Sequence, residues 1–514
     1  MRRLLLPILL IAALFYGCAA NPVTGKRELV LVSEPQEIAM GRKNYGPSRQ
    51  MQGGDYTVDP ALTEYVKGVG KRLAAVSDRK LPYEFAVLNN SVPNAWAMPG
   101  GKIAVNRGLL VELKNEAELA AVLGHEIVHA AARHGAKSMQ RGMLIQGAVM
   151  ATGVAARDRD YADLAVAGAQ VGAALITHKY GRDAEREADL YGMVYMKRAG
   201  YDPQAAVGLQ QTFLRLSKNR RQDWISGLFA SHPPSQERVE NNRATAERLG
   251  AGGEIGARRY QSRLAHLKQT KTAYDAYDKG RKALGEGDLT TALKMADKAI
   301  RIEPREAHFY ALRGDARFMQ KRLREAMVDY NRAIQYNPDF FHYYVQRGIT
   351  REKLGDKAGA KKDLERSVKF LPTATALNRL GNMALAGGDR RQAINYYKKA
   401  ARSRSEPGQK AARSLLRLDL PQNPNNYLQV RSGLNKQRNV IVKVGNPTSL
   451  AVHRVRIVIQ YPDAQGRLRQ FSQDVTGVIP PGKAAIIKTP LGPVKDSGAL
   501  RRIKVKIERA ALAE

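Results

Sequence analysis

The residues best suited to chemistry in this sequence are two histidines and a glutamate within one short run. His125, Glu126 and His129 form the pattern H-E-x-x-H inside the segment HEIVH. In an α-helix, residues four apart lie on the same face, so both imidazoles can reach one metal ion while Glu126 projects beside its open coordination position. The pattern predicts one Zn²⁺ per chain and a catalytic role for Glu126 as the general base of a metal-assisted hydrolysis.

A catalytic zinc site needs a third protein ligand, which must come from elsewhere in the chain. Glu185 is the candidate, because it opens a second predicted helix 56 residues after His129. Asp189 lies one turn later on the same face, where it can orient a ligand histidine through its other ring nitrogen. Glu187 is the nearest alternative ligand. Because it lies two residues after Glu185, its side chain points to a different face of the helix.

The same residues also have plain structural explanations. His125 and His129 could be packed core histidines, and Glu185 with Asp189 could form a solvated acidic face paired with nearby arginines. The coincidence of the motif, its helix and the second acidic helix favours the metal site. Other histidines are interpreted as surface or packing residues: His134, His178, His266, His308, His342 and His453.

Two helices and a small sheet must position these side chains. Asn115 and Glu118 form a capping box, which predicts a helix from about Glu116 to His134. A second helix is predicted from about Asp183 to Ala199, before the helix breaker Gly200. An alternating run around residues 83–87 and another at 102–106 predict short strands.

From Tyr274 onward the sequence repeats itself every 34 residues. This is the period of the tetratricopeptide helix-turn-helix, and it predicts an α-solenoid of about four repeats over residues 270–405. Stacked repeats of this kind form a groove for peptides or partner proteins. The equivalent positions are Gly280, Gly314 and Gly348; Ala292, Ala326 and Ala360; and Pro304, Pro338 and Pro372.

The remainder of the chain changes character. Residues 406–426 contain three prolines and are predicted to be a linker. Short runs of period two then predict an all-β sandwich over residues 427–514, with basic residues on its outward positions.

Composition limits the class of protein and its partners. With 514 residues, 44% hydrophobic and 26% charged, the chain has globular composition and the length of about three domains. Residues 1–250 carry 32 basic and 24 acidic side chains, whereas residues 251–514 carry 52 and 24. The basic half either contacts a polyanion or is merely a solvated surface.

The N-terminus has the layout of an export signal. A positive start at Met1–Arg3 precedes an apolar run and Gly17-Cys18-Ala19-Ala20, which predicts a signal peptide and lipobox over residues 1–18. Lipidated Cys18 would then anchor the protein to a membrane, the alternative being an uncleaved N-terminal helix of marginal length. Export makes anionic lipid, lipopolysaccharide or an acidic protein the expected polyanion, and no nucleic acid is expected. Residues 143–176 are predicted to be two apolar helices around a polar turn.

Several motifs together resemble the CaaX-prenyl-endopeptidase-like zinc metallopeptidases, of gluzincin type, over about residues 20–405. They are Asn21-Pro22-Val23-Thr24-Gly25, the turn Ala97-Met98-Pro99-Gly100-Gly101, HEIVH with Arg133-His134 behind it, Glu185-Arg186-Glu187-Ala188-Asp189, and Ser231-His232-Pro233-Pro234 with Arg238. The resemblance implies a mainly α, zincin-type metallopeptidase domain with a small sheet over residues 19–265. It assigns His125, His129 and Glu185 as zinc ligands. It also implies that His232 can swing onto the zinc and keep the protease latent, unless His232 only anchors its loop.

The hypothesis is a multidomain zinc endopeptidase on the periplasmic side of the bacterial envelope, expected as an outer-membrane lipoprotein. Its substrates would be unfolded or misassembled exported proteins, delivered by the repeats. The backbone of Ile103, Ala104 and Val105 is predicted to accept an extended substrate as an added strand. The alternative is an envelope chaperone or assembly scaffold whose zinc site is latent.

Overall fold

The computed structural model describes residues 18–140, 180–218, 227–250, 252–463, 465–494 and 497–513. The chain divides into two compact units, Met1–Leu371 and Pro372–Glu514. The predicted signal peptide up to residue 17 and the apolar stretch at 143–176 lie outside the described residues. Across the described ranges, no helix combines the length and apolar character needed to cross a bilayer.

The first part of the N-terminal unit is mainly helical and contains two small sheets. Its strands are β1 (Cys18–Ala20), β2 (Arg27–Leu29), β3 (Glu84–Leu88), β4 (Ala95–Met98) and β5 (Lys102–Asn106). Its helices are α1 (Glu34–Met51), α2 (Pro60–Ala75), α3 (Arg107–Leu110), α4 (Glu116–Ala131), α5 (Arg182–Arg198), α6 (Gln204–Lys218), α7 (Leu228–Ser231), α8 (Gln236–Leu249), α9 (Ala257–Arg263) and α10 (Ala265–Gln269). Residues from α2, α4, α5 and the larger sheet share one hydrophobic core.

Strand β5 lies at the centre of the three-stranded sheet. It pairs in parallel with β3 and antiparallel with β4, so that Ile103 lies opposite both Phe85 and Ala97. The prediction that Ile103, Ala104 and Val105 accept an extended substrate is therefore wrong, because both edges of this strand already carry a neighbour. In the described part of the sheet, β3 and β4 are the edge strands, and β4 packs against α4.

Helix α4 carries the H-E-x-x-H segment in the interior of the unit. The Asn115 side chain accepts a hydrogen bond from the Glu118 amide at 2.8 Å, which caps the helix as predicted. Every residue of α4 except His125 is buried, as the apolar sequence requires. The helix ends at Ala131, because Arg133 adopts a left-handed conformation with φ of 63°.

Helix α5 packs against α4 through a pair of glycines. A Cβ atom on Gly192 would lie 3.0 Å from the backbone nitrogen of His125, and one on Gly124 would lie 3.1 Å from the Gly192 oxygen. The absence of side chains lets the two backbones approach closely enough for residues of α5 to reach those of α4. This contact brings Glu185 to the H-E-x-x-H face.

The rest of the N-terminal unit consists of three helix pairs with the predicted 34-residue period. They are α11 (Lys271–Gly285), α12 (Leu289–Ile302), α13 (Ala307–Met319), α14 (Leu323–Tyr336), α15 (Phe341–Lys353) and α16 (Lys357–Phe370). The same ion pair recurs in successive repeats: Arg313 binds Asp329 at 2.7 Å, and Arg347 binds Asp363 at 2.7 Å. The repeated sequence positions therefore make repeated contacts.

The C-terminal unit begins with α17 (Ala374–Ala386), α18 (Arg390–Ala400) and α19 (Glu406–Asp419). The prediction of a linker over residues 406–426 is wrong for its first part, which forms α19 and packs on α17 and α18. Pro407 stands in the first helical turn, where proline needs no amide hydrogen bond, and Ala411, Leu415 and Leu416 form the buried face.

Two three-stranded antiparallel sheets follow, with strand orders β10-β7-β6 and β11-β8-β9. A single hydrophobic cluster takes residues from both sheets, including Val442 and Ile457. The predicted β-rich C-terminal region is confirmed as two small sheets. Its strands are β6 (Gln429–Leu434), β7 (Val440–Gly445), β8 (Val452–Pro462), β9 (Leu468–Val475), β10 (Ala484–Lys488) and β11 (Lys504–Leu512).

Candidate metal centre

Four metal-ligating side chains from three helices meet at one point in the N-terminal unit. His125 and His129 come from α4, Glu185 from the first turn of α5, and His232 from the residue that ends α7. One ligand atom from each of the four lies within 4.8 Å of the others. The structure thus brings together the residues that the sequence predicted as metal ligands.

The atoms that face one another are those that bind metals. Nε2 of His129 lies 3.0 Å from Nε2 of His125 and 3.4 Å from Oε1 of Glu185. Nδ1 of His232 lies 2.9 Å from Oε1 of Glu185 and 3.3 Å from Nε2 of His125. Imidazole nitrogens with one carboxylate oxygen form the donor set that suits a catalytic zinc ion.

Burial and charge leave these groups ready to bind a cation. Burial holds the pKa of His129 well below its usual range, so its imidazole is neutral and its Nε2 can donate a lone pair. Burial raises the pKa of Glu185, but His232 and His129 lower it by more. The net pKa is well below the usual range, so the carboxylate stays charged. Oε2 of Glu185 lies 3.1 Å from Nη1 of Arg238, while its Oε1 faces the imidazole nitrogens of His129 and His232. A buried carboxylate oxygen grouped with imidazole nitrogens is the donor set of a zinc ion, so the site fits a metal ion.

Asp189 orients His125 from behind the ligand group. Its Oδ1 lies 2.9 Å from Nδ1 of His125, so Nε2 of that ring points toward the other ligands. Arg238 binds the same carboxylate twice, through Nε and Nη2, each at 2.7 Å. Burial raises the pKa of Asp189, but Arg238 and His125 outweigh it and hold the pKa below its usual range. Sequence reasoning noticed Arg238 only as part of a motif and assigned it no role.

Glu126 lies beside the ligand group and is 1% exposed. Its Oε2 has no hydrogen-bond partner, and its Oε1 is 3.5 Å from Nε2 of His232. Burial raises the pKa of Glu126, which makes its carboxylate a stronger base than one in water. Glu126 is the catalytic candidate, because it is not needed as a ligand and is free to accept a proton.

His134, interpreted from the sequence as a surface or packing residue, also belongs to this site. Its Nδ1 lies 2.8 Å from Nδ1 of His129, and its Nε2 lies 3.2 Å from Oε2 of Glu187. The surface alternative is wrong, because the chain turns at Arg133 and brings the His134 ring back against α4, where it is buried. Tyr180 stacks on the other face of His129, with ring centroids 3.9 Å apart.

A cavity of about 40 Å³ adjoins His125 and Glu126. A space of this size accommodates about three water molecules or a small aliphatic group. Most of its walls are apolar and come from α4, α5, α6 and α7: Ala121, Val122, Met193, Met196, Leu209, Phe213 and Leu228.

Comparison with known proteins places this site in a family. The model described as peptidase family M48 matches residues 60–246, which include every residue of the metal centre. Metalloprotease YcaL of Escherichia coli (strain K12) is 34% identical over 196 residues, which are 36% of this chain and 71% of that protein. The chain belongs to peptidase family M48. Tetratricopeptide repeat models match residues 277–339 and 374–407, so the predicted metalloprotease and repeats are both confirmed.

Two other relatives match this chain along a smaller share of their own length than YcaL does. The beta-barrel assembly-enhancing protease of Escherichia coli (strain K12) is 31% identical over 225 residues, which are 39% of this chain and 44% of that protein. Mitochondrial metalloendopeptidase OMA1 of Schizosaccharomyces pombe is 36% identical over 183 residues, 34% of this chain and 51% of that protein. The chain thus spans less than half the length of the beta-barrel assembly-enhancing proteases that it matches.

Proposed function

We propose that this M48 peptidase is a zinc-dependent endopeptidase of the bacterial envelope that cleaves unfolded or misassembled exported proteins. The observation that carries the proposal is the buried group of His125, His129 and Glu185 with Glu126 beside it. The beta-barrel assembly-enhancing proteases among its relatives support the envelope setting.

In this proposal His125, His129 and Glu185 hold one zinc ion, which supplies Lewis acidity and lowers the pKa of a bound water to about 7. Glu126 accepts the proton of the attacking water and returns it to the nitrogen of the departing amine. Asp189 and Arg238 keep the His125 ring in place. The cavity beside Glu126 accepts a small apolar side chain of the substrate.

We propose that the substrate adds to β4 rather than to β5. β4 pairs only with β5 among the described strands, and it packs against α4, which carries Glu126. The loop before β4 is fixed to α7, because the amide of Leu228 donates to the oxygen of Pro93 at 2.9 Å. An extended segment along β4 can hydrogen-bond to its backbone regardless of sequence, which suits unfolded substrates.

The proposal is tested by measuring metal content and cleavage of casein, an unfolded protein. We expect one zinc per chain and cleavage that stops on chelation and returns with Zn²⁺. Stoichiometric zinc without cleavage of casein would contradict the peptidase proposal, and absence of zinc would contradict the metal assignment.

His232 is proposed to be a latch that occupies the open position of the metal. Its Nδ1 lies among the ligand atoms, and its Nε2 approaches Glu126, so it stands where the attacking water would bind. We expect His232→Ala to raise kcat on a peptide substrate about tenfold. This is the increase expected if His232 blocks the site in about 90% of the molecules and the substitution makes all of them active. Unchanged zinc content would show that the ligand set survives. A fall in kcat would contradict the latch and assign His232 a catalytic role instead.

Delivery of substrates by the repeats is the next part of the proposal. A cavity of about 940 Å³ lies between the loop 89–93 and the repeat helices α11, α13 and α15. That loop leads directly into β4, so a chain extending from the β4 edge enters this cavity. Aromatic and polar side chains of the repeats line it, including Tyr277, Phe340 and His342.

We expect Arg281→Trp to reduce cleavage of casein several-fold while cleavage of a hexapeptide is unchanged. Arg281 is exposed and lines the cavity, so a bulky residue there obstructs only a long substrate. Arg301→Trp is the matched control, since Arg301 is also an exposed repeat arginine but does not line the cavity. Equal loss on both substrates, or equal loss in the control, would contradict delivery through this cavity.

Membrane attachment is proposed at two places. Lipidation of Cys18 would anchor the protein in the outer membrane, and Cys18→Ser should then release it into the soluble periplasmic fraction. The C-terminal sheets, which we propose form a β-sandwich, expose Arg454, Lys504 and Lys506 for anionic lipid or lipopolysaccharide. Binding to anionic vesicles should weaken as salt rises, and salt-independent binding would contradict this contact.

The second candidate is an envelope chaperone or assembly scaffold with a regulated zinc site. The large cavity and the position of His232 favour it, since both fit a protein that binds clients more often than it cuts them. The test uses cells that lack the protein and measures whether each variant restores the wild-type phenotype. Restoration by Glu126→Gln, but not by a variant without the repeats, would support the scaffold.

A further inference from the structure

The two ligand histidines of α4 are supported by different groups. Nδ1 of His125 contacts the carboxylate of Asp189 directly, at 2.9 Å. Nδ1 of His129 instead contacts another imidazole, Nδ1 of His134, at 2.8 Å. His129 and His134 are 1% and 3% exposed, so this contact is shielded from water. No part of the mechanism proposed above uses it.

The positions of the ring nitrogens fix the direction of these hydrogen bonds. Nε2 of His129 faces His125 and Glu185, so it must be unprotonated when it binds a metal. The proton of the neutral ring is then on Nδ1, which donates to Nδ1 of His134. His134 must accept there and therefore carries its own proton on Nε2.

Glu187 supplies the acceptor that this arrangement requires. Its Oε2 lies 3.2 Å from Nε2 of His134, and its Oε1 accepts from Nζ of Lys26 at 3.0 Å. The contacts therefore form one chain from Lys26 through Glu187 and His134 to His129. Every link has a donor facing an acceptor.

The backbone before His134 is held in the conformation that makes this contact. Arg133 has φ of 63°, a left-handed conformation that is strained for a residue with a side chain. Its guanidinium donates to Oε1 of Glu37 at 2.5 Å and to the backbone oxygen of Val32. These bonds hold the turn and so fix the His134 ring against His129.

We propose that His134 is a positioning residue for the metal ligand His129, with Glu187 holding His134 in turn. His134 fixes the tautomer and the ring angle of His129, so that Nε2 is presented to the metal. Unlike the carboxylate behind His125, it does so without placing a charge next to the ligand. The inference rests on the proposed metal site.

The inference predicts graded losses along the chain. Mutation of a group that orients a ligand costs about 10–100-fold in metal affinity. His134→Phe, which keeps the ring but removes the acceptor, should weaken zinc binding by that amount. Asn places an amide oxygen near the position of Nδ1, so His134→Asn should keep affinity close to wild type. Glu187→Met should lose less than His134→Phe, and Lys26→Met should lose least because the Lys26 side chain is 69% exposed.

The experiment measures zinc affinity of the full chain by competition with a chromophoric chelator. Thermal melting of the chelated variants monitors folding, and the visible spectrum of the Co²⁺-loaded protein reports the ligand geometry. Asp183→Asn is the matched control, since Asp183 lies on α5 with a side chain 91% exposed and should leave affinity unchanged.

Weaker zinc binding in His134→Phe, recovery in His134→Asn and an altered Co²⁺ spectrum are the expected results. Wild-type affinity in His134→Phe, or equal loss in Phe and Asn, would overturn the proposal and leave His134 a packing residue. If His134→Phe does not fold, the comparison of Glu187→Met with Asp183→Asn decides. Zinc affinity is measured without substrate, so failure of the peptidase proposal in cleavage assays does not affect this result.

Discussion

Glu126→Gln is expected to lower kcat by about 10²–10⁴-fold, the usual contribution of a general base. Glutamine keeps the shape of the side chain but cannot accept a proton. Glu126 is buried, and burial raises the pKa of its carboxylate, so the substitution removes a base stronger than an exposed glutamate. Since no ligand atom is lost, zinc content should equal that of wild type.

The measurement compares initial rates on casein and on a short peptide with metal content by mass spectrometry. Glu118→Gln is the matched control: Glu118 is buried on the same helix, and it accepts a bond from the Lys114 amide that glutamine can also accept. We expect this control to retain wild-type kcat. Full residual activity in Glu126→Gln would remove Glu126 from the mechanism, and parallel loss of zinc would make its role structural.

The parts of this site that the sequence revealed are those set by local geometry. His125 and His129 are four residues apart on a capped helix, and that spacing alone puts both rings on one face. Glu185 and Asp189 have the same relation on α5. For these residues, knowing that a segment is helical is nearly equivalent to knowing where the side chain points.

The parts that sequence reasoning missed depend on contacts between distant segments. The order of strands β3, β5 and β4 follows from packing, so the alternation that identified β5 could not show that both its edges are paired. His134 reaches His129 only because Arg133 leaves the helix in a left-handed turn, which Glu37 stabilises from 96 residues away. The helix at 406–419 was mistaken for a linker because its proline was taken as a sign of irregular structure. Pro407 lies in the first turn of the helix, where proline is tolerated.

Arg238→Met is expected to destabilise the metal-free N-terminal unit by about 3–5 kcal/mol, because it leaves the buried carboxylates of Asp189 and Glu185 without their shared cation. Arg238 donates two hydrogen bonds to Asp189, and their side chains are 8% and 7% exposed. For a unit of 371 residues, the loss corresponds to a decrease in Tm of about 4–6 °C. Melting is followed in the presence of chelator, so that a change in metal affinity does not contribute.

The pH dependence follows from the lowered pKa of Asp189. A carboxyl group whose pKa is lower in the folded state stabilises that state above its unfolded pKa of about 4, and this stabilisation is lost as the pH falls through the folded value. The difference in Tm between wild type and Arg238→Met should therefore be full at neutral pH and shrink in acid. A difference that grows in acid would contradict the ion pair as its cause.

The double variant Arg238→Met with Asp189→Leu separates stability from metal binding. Asp189→Leu eliminates one of the two carboxylates that lose Arg238, so part of the lost Tm should return, while Glu185 still lacks this cation. Zinc affinity should nevertheless stay about 10–100-fold below wild type, because Nδ1 of His125 has lost the group that orients it. If the double variant binds zinc like wild type, Asp189 serves only to pair with Arg238. If it is as unstable as the single variant, the unpaired charge of Asp189 is not the cause of the lost stability.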